Sequence, residues 1–87
     1  MVTVKKFSAA WCGPCRMLAP MFEQVKMGYS NVKFENIDID EDYQSVQQYN
    51  VSSVPTVVIV KDGVEINRFT GLSSKIAYVN AINESLK

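Results

Sequence analysis

The chain predicts an α/β fold in the order β-α-β-α-β-β-α, a four-stranded mixed sheet flanked by three helices, within a single domain spanning residues 1–87. Three observations carry that prediction. Strand-like β-branched runs alternate with helix-period runs through the first half, so the first two strands should pair in parallel through a right-handed crossover. Asp62-Gly63 then separates two apolar runs, the strongest short-range hairpin signal in the chain. Helical spacing returns at the end, after Gly71.

Val2, Val4 and Phe7 mark a first strand to about Ser8, and Lys5 and Lys6 interrupt its apolar run, which leaves one face open. After Cys12, the positions Met17, Leu18, Met21, Phe22 and Val25 recur at helical spacing to about Met27, with Gly28 as the stop. Pro20 removes one hydrogen bond and bends this helix without ending it, since the apolar period continues beyond. Val32–Asp38, "VKFENID", alternates as a second strand, and the acidic run Asp38, Asp40, Glu41, Asp42 suits the N-terminus of a short helix carrying Val46 and Tyr49. Strands over Pro55–Val60 and Val64–Phe69 flank the hairpin turn, and Ser73 is placed to cap a last helix with Ile76, Val79, Ile82 and Leu86 on one face and lysines at each end.

Composition narrows the function classes. Of the 87 residues, 47% are apolar and 21% charged, which suits a folded globular domain, and Lys+Arg equals Asp+Glu at 9 each. No net field or basic run draws the chain to nucleic acid or an anionic membrane, and no apolar stretch nears the roughly 18 residues of a spanning helix. A cytoplasmic location is the expectation, and the N-x-S matches at Asn50 and Asn83 lack the secreted context that would give them meaning. The acidic run also resembles the start of a calcium loop, but Tyr43 stands where that loop needs glycine and Tyr49 where it needs glutamate.

The chemistry lies in "AWCGPCRMLAP", Ala10–Pro20, which holds both cysteines and the one tryptophan. A structural zinc site wants four ligands, whereas the chain has two cysteines and no histidine. A structural staple gains most by closing a long loop, and this pair closes a very short one. A reversible redox pair fits the geometry better. Residues i and i+3 at a helix start lie on one side, close enough for a tightened first turn to bring Cys12 and Cys15 to bonding distance.

The two sulfurs are expected to differ. Cys12 takes an N-cap-like place where the positive helix end and the Cys15 amide favour an anion, Pro14 having no N–H to give. A free thiol with a pKa of about 8.5 is about 3% thiolate at neutral pH, and lowering it to about 7 takes roughly 2 kcal/mol of electrostatic stabilisation. Cys15, a turn inside, is expected to be the more buried thiol. Cys12 would attack a disulfide in a partner protein and Cys15 would resolve the mixed disulfide.

"WCGPC" resembles the active-site pentapeptide of the thioredoxin family, and the resemblance extends from Val2 over essentially the whole chain. Pro20, "SVPT" with Pro55, the Asp62-Gly63 hairpin and Gly71 before the last helix support it. It implies a minimal thioredoxin fold with no cofactor beyond the Cys12–Cys15 disulfide, and a cis Pro55 facing the cysteines. It also implies a flat apolar surface for extended substrate segments at Trp11, Gly13, Pro14, the Val54 backbone and Gly71; for Trp11 the alternative is a core aromatic, and for Gly71 a plain turn glycine.

Three departures qualify the resemblance. The family's usual first strand and helix have no counterpart, as in glutaredoxins and in small thioredoxin-like proteins of archaea and phages. The family's buried carboxylate below the cysteines falls at Lys6, and its partner lysine falls at Phe34. Lys6 is therefore a candidate modulator of the cysteine pKa values, although extension into solvent is the favoured expectation.

The leading function is reduction of protein disulfides by a monomer that an NADPH-dependent thioredoxin reductase recharges, because Gly13-Pro14 resembles the reducing members where glutaredoxins usually carry Pro-Tyr. The rivals are a glutaredoxin-like reductase coupled to glutathione and a binding module in which the cysteines are incidental.

Overall fold

The computed structural model describes residues 1–87. Its elements are β1 (Val2–Ser8), α1 (Gly13–Met27), β2 (Val32–Asp38), α2 (Tyr43–Gln48), β3 (Thr56–Lys61), β4 (Val64–Thr70) and α3 (Lys75–Ser85), in the order expected from the sequence. They form one sheet of order β2-β1-β3-β4. β1 pairs β2 in parallel, while β3 runs antiparallel to both β1 and β4.

Alternation along the strands sorts side chains into two layers. Val2, Val4, Val32, Val57 and Ile59 meet Leu18, Phe22 and Val25 of α1 and Tyr78 and Ile82 of α3. On the opposite face Phe7, Ile37, Val58 and Val60 are buried with Val46 and Tyr49 of the α2 segment against them. Helices on both faces explain why β3 reads as an unbroken apolar run. It starts at Thr56 because Pro55 has no N–H to give the ladder.

β1 is central, and this decides the fate of its lysines. Lys5 lies half-buried on the α2 side, where its Nζ donates to Glu35 Oε1 at 2.6 Å. Lys6 points the other way, between its partners Asn36 and Val57 and under α1. It is 7% exposed, so the extension into solvent expected for it is corrected: the stem is covered and only the ammonium end keeps contact with water. Its Nζ sits 5.0 Å from the Phe22 ring centroid.

α1 continues through Pro20 as expected, with Cys15, Leu18, Phe22 and Val25 as its buried stripe. Met17, expected on that face, is 67% exposed, one position beside the stripe. Gly28 ends the helix in an ordinary right-handed conformation, so its place needs no glycine-specific backbone. At the hairpin, by contrast, Asp62 and Gly63 have φ of 51° and 84°, the left-handed pair that a two-residue turn of primed type needs. Beyond it the register slips between Ile59 and Val60, and Ile66 bulges out of the edge strand β4.

The last helix is shifted relative to expectation. Ser74, not Ser73, is its N-cap, its Oγ accepting from the Ala77 N–H at 3.1 Å. The buried positions are Tyr78, Ile82 and Ser85 with Val79 beside them, while Ile76 is 71% exposed. Ser73 instead donates its backbone N–H to the Tyr78 hydroxyl at 3.1 Å. Ser74→Ala is therefore expected to lower stability by about 1 kcal/mol and Ser73→Ala by less than about 0.5 kcal/mol in urea titrations. Equal losses would contradict this cap assignment.

Candidate active site

β1 ends at Ser8 and the chain turns into α1 within four residues, closed by a hydrogen bond from the Cys12 N–H to the Ala9 carbonyl at 3.2 Å. Cys12 is extended, at φ −91° and ψ 113°, and forms the N-cap of α1. The Cys15 N–H donates to Cys12 Sγ at 3.2 Å, the contact expected once Pro14 can offer none. The two sulfurs are joined as a disulfide, with Cα atoms 5.3 Å apart. Arg16 reaches back to donate to the Ala10 carbonyl at 3.0 Å, which ties the loop to the helix it starts.

Burial barely separates the cysteines. Cys15, at 4% exposed, is the more buried as expected, but Cys12 at 5% is covered almost equally. Both pack with Ala9 against Ile39 and Val54, since the residue after β2 and the one before Pro55 converge on the same loop. What distinguishes the sulfurs is hydrogen bonding: Cys12 Sγ accepts a helix N-terminal amide and sits at the positive end of α1.

The other singled-out residues surround this pair unequally. Gly13 and Pro14 are exposed, Val54 is half-buried and Pro55 is buried. The Val54–Pro55 bond is cis. Gly71 has φ +88°, which favours glycine, and its N–H donates to the Pro55 carbonyl at 2.8 Å, joining the end of β4 to the cis-proline loop. Trp11 is 65% exposed and therefore no core aromatic. Its Nε1 donates to Asp40 Oδ2 at 2.9 Å. Sequence reading places Asp40 only among charges before α2; the one signal for its role is that an indole N–H seeks a partner.

Below Cys15 lies a cavity of about 300 Å³ lined by Lys6, Cys15, Arg16, Ala19 and Asp38 among others. Burial lowers the pKa of Lys6 from its ordinary value, and the charge of Glu23 opposes that fall. No group of three or more His, Cys, Asp or Glu is arranged to hold a metal ion, and no helix is long and apolar enough to cross a membrane.

The thioredoxin family model matches residues 1–84. The chain belongs to the thioredoxin family. It is 41% identical over 78 residues to a thioredoxin of Chlamydia caviae, an alignment covering 90% of this chain and 76% of that protein. A Bacillus subtilis thioredoxin is 37% identical over 87 residues, covering 98% and 83%. Among solved structures, a mutant thioredoxin from Halobacterium salinarum superposes with a TM-score of 0.91 at 32% identity, covering 99% of this chain and 75% of that one.

As a member of this family the chain is a thiol–disulfide oxidoreductase, a protein-disulfide reductase whose redox group is the Cys12–Cys15 pair. Disulfide-bearing targets and a reductase of the thioredoxin-reductase type are the partner classes that membership implies. Neither a glutaredoxin-like reductase nor a redox-independent binding module is favoured by these relatives.

Proposed function

We propose that Cys12 is the attacking nucleophile and Cys15 the resolving thiol, in a monomeric domain of residues 1–87 that works in the cytoplasm without a bound cofactor. The carrying observation is the Cys15 N–H on Cys12 Sγ at the N-terminus of α1, which favours a thiolate on Cys12 over one on Cys15. The Cys12 thiolate attacks one sulfur of a target disulfide, forming a mixed disulfide and releasing the first target thiol. Cys15 then loses its proton and attacks Cys12 Sγ; the Cys12–target bond breaks, the Cys12–Cys15 bond forms, and the second target sulfur leaves as a thiolate and takes up a proton. The target gains two electrons and the cysteine pair loses them.

Trp11, Gly13, Pro14, Val54, Pro55 and Gly71 form the substrate surface in this reading. Val54 makes no backbone hydrogen bond within the chain, so its N–H and carbonyl are free to pair with an extended target segment. Recharging by an NADPH-dependent thioredoxin reductase completes the cycle. The test is to supply insulin as disulfide substrate with either NADPH and thioredoxin reductase or reduced glutathione. Turnover that follows NADPH consumption and needs the reductase is expected; efficient recharging by glutathione with none by the reductase would move the chain to the glutaredoxin-like reading.

A further inference from the structure

Lys6 is the one charged side chain in the buried core of this fold, and the mechanism above does not use it. It makes no ion pair and donates no hydrogen bond to protein, unlike its neighbour Lys5 on the other face. A lysine nitrogen shut away from any partner would be costly, yet no fully enclosed side-chain nitrogen or oxygen of the chain lacks one. The ammonium therefore reaches water, and the cavity that Lys6 lines beside Cys15 supplies it.

The layout of α1 lets that charge move. Cys15, Ala19 and Phe22 follow one another along the inner side of the helix, and Ala19 is too small to fill the space between the other two. With the disulfide closed, the ammonium rests over the Phe22 ring at 5.0 Å. Its four-carbon stem can swing toward Cys15 through the cavity they share. The other charged groups around this path are Arg16 and Glu23 on α1 and Asp38 on β2, while β3 presents Val57. Arg16 is engaged with the Ala10 carbonyl, and Asp38 Oδ1 accepts from the Asp40 N–H at 2.9 Å. Lys6 is the cation left to answer a new negative charge at Cys15.

We infer that Lys6 is a positioning residue for the resolving step: its ammonium stabilises the thiolate of Cys15 across the shared cavity. This rests on Cys15 being the resolving thiol. When the Cys15 proton leaves to cavity water, the ammonium leaves Phe22 for the sulfur; once the Cys12–Cys15 bond has formed and the target thiolate has departed, the sulfur is neutral and the ammonium returns. Lys6 neither gains nor loses a proton. Charge, and not basicity, is its contribution, which is why arginine should replace it and methionine should not.

The test follows the reduced 87-residue chain reacting with dithiobis-nitrobenzoate as a function of pH. The first thionitrobenzoate released reports attack by the first cysteine, and the second reports resolution. Removing the charge in Lys6→Met is expected to move the pH profile of the second phase up by about one unit. Tenfold less thiolate, partly offset by the greater nucleophilicity of a more basic thiol, makes that phase roughly threefold slower at neutral pH. The first phase should be unchanged, and Lys6→Arg should match the wild type in both. An unshifted second phase in Lys6→Met, or an equal shift in Lys6→Arg, overturns the inference. Cys15→Ser checks the underlying reading separately: it should release one thionitrobenzoate and hold the other on Cys12, and failure to do so would indict the assignment of Cys15 and not Lys6.

Discussion

Cys12→Ser is expected to reduce protein-disulfide turnover by at least about a thousandfold, to the uncatalysed background, because a serine hydroxyl at neutral pH is un-ionised and cannot form the mixed disulfide. Cys15→Ser should fail differently. Its Cys12 still has an amide donor from residue 15, since the bond to Cys12 Sγ comes from the backbone and not from the side chain that is replaced. The first attack therefore proceeds at close to the wild-type rate, and the reaction stops at a covalent complex with the target. Non-reducing gel electrophoresis after mixing each variant with an oxidised target checks both statements. A complex with Cys12→Ser and none with Cys15→Ser would reverse the roles. Appreciable turnover by Cys12→Ser would remove Cys12 from the mechanism.

That the roles of two residues three apart can be argued from sequence reflects how local their geometry is. An N-cap position, a proline without an N–H and the next free amide all lie within one helical turn, so "WCGPC" carries its own hydrogen-bond pattern. The Asp62-Gly63 turn was legible for the same reason: both residues take left-handed angles that few others tolerate. Where the outcome depended on packing between distant elements, local pattern misled. Lys6 is buried because β1 lies between β2 and β3 with α1 across it, an arrangement that no window around Lys6 contains. In α3, helical spacing pointed to Ile76 for the inner face, whereas Tyr78 is the residue buried there, its ring centroid 4.8 Å from that of Phe69 on β4, a strand no local window around α3 contains. The Trp11–Asp40 bond joins residues 29 positions apart, and among four neighbouring acidic side chains nothing local singles out Asp40.

The largest stability effect should come from Phe7→Ala. Phe7 is fully buried in the central strand, one residue from Lys6 and Ser8, and it anchors the α2 side of the sheet with Ile37, Val58 and Val60. The Tyr49 ring, 6.0 Å away between centroids, covers it from the α2 segment. Truncation removes most of a ring from a site that neighbouring β-branched residues cannot fill, at an expected cost of about 3–5 kcal/mol. Domains of this kind hold only about 5–15 kcal/mol in total, so the variant should be partly unfolded at physiological temperature. Phe7→Leu keeps much of the volume and should lose less than about 1.5 kcal/mol. Urea titration would show the midpoint falling with an unchanged slope; a loss below about 1 kcal/mol for Phe7→Ala would mean that the α2 side contributes little to the fold. The size of the loss should also be nearly the same with the cysteines reduced or oxidised. A bridge that closes so short a loop restricts the unfolded chain little, and the cysteines pack in a cluster with Ala9 that meets the Phe7 cluster only through the half-buried Ile39 and Val54.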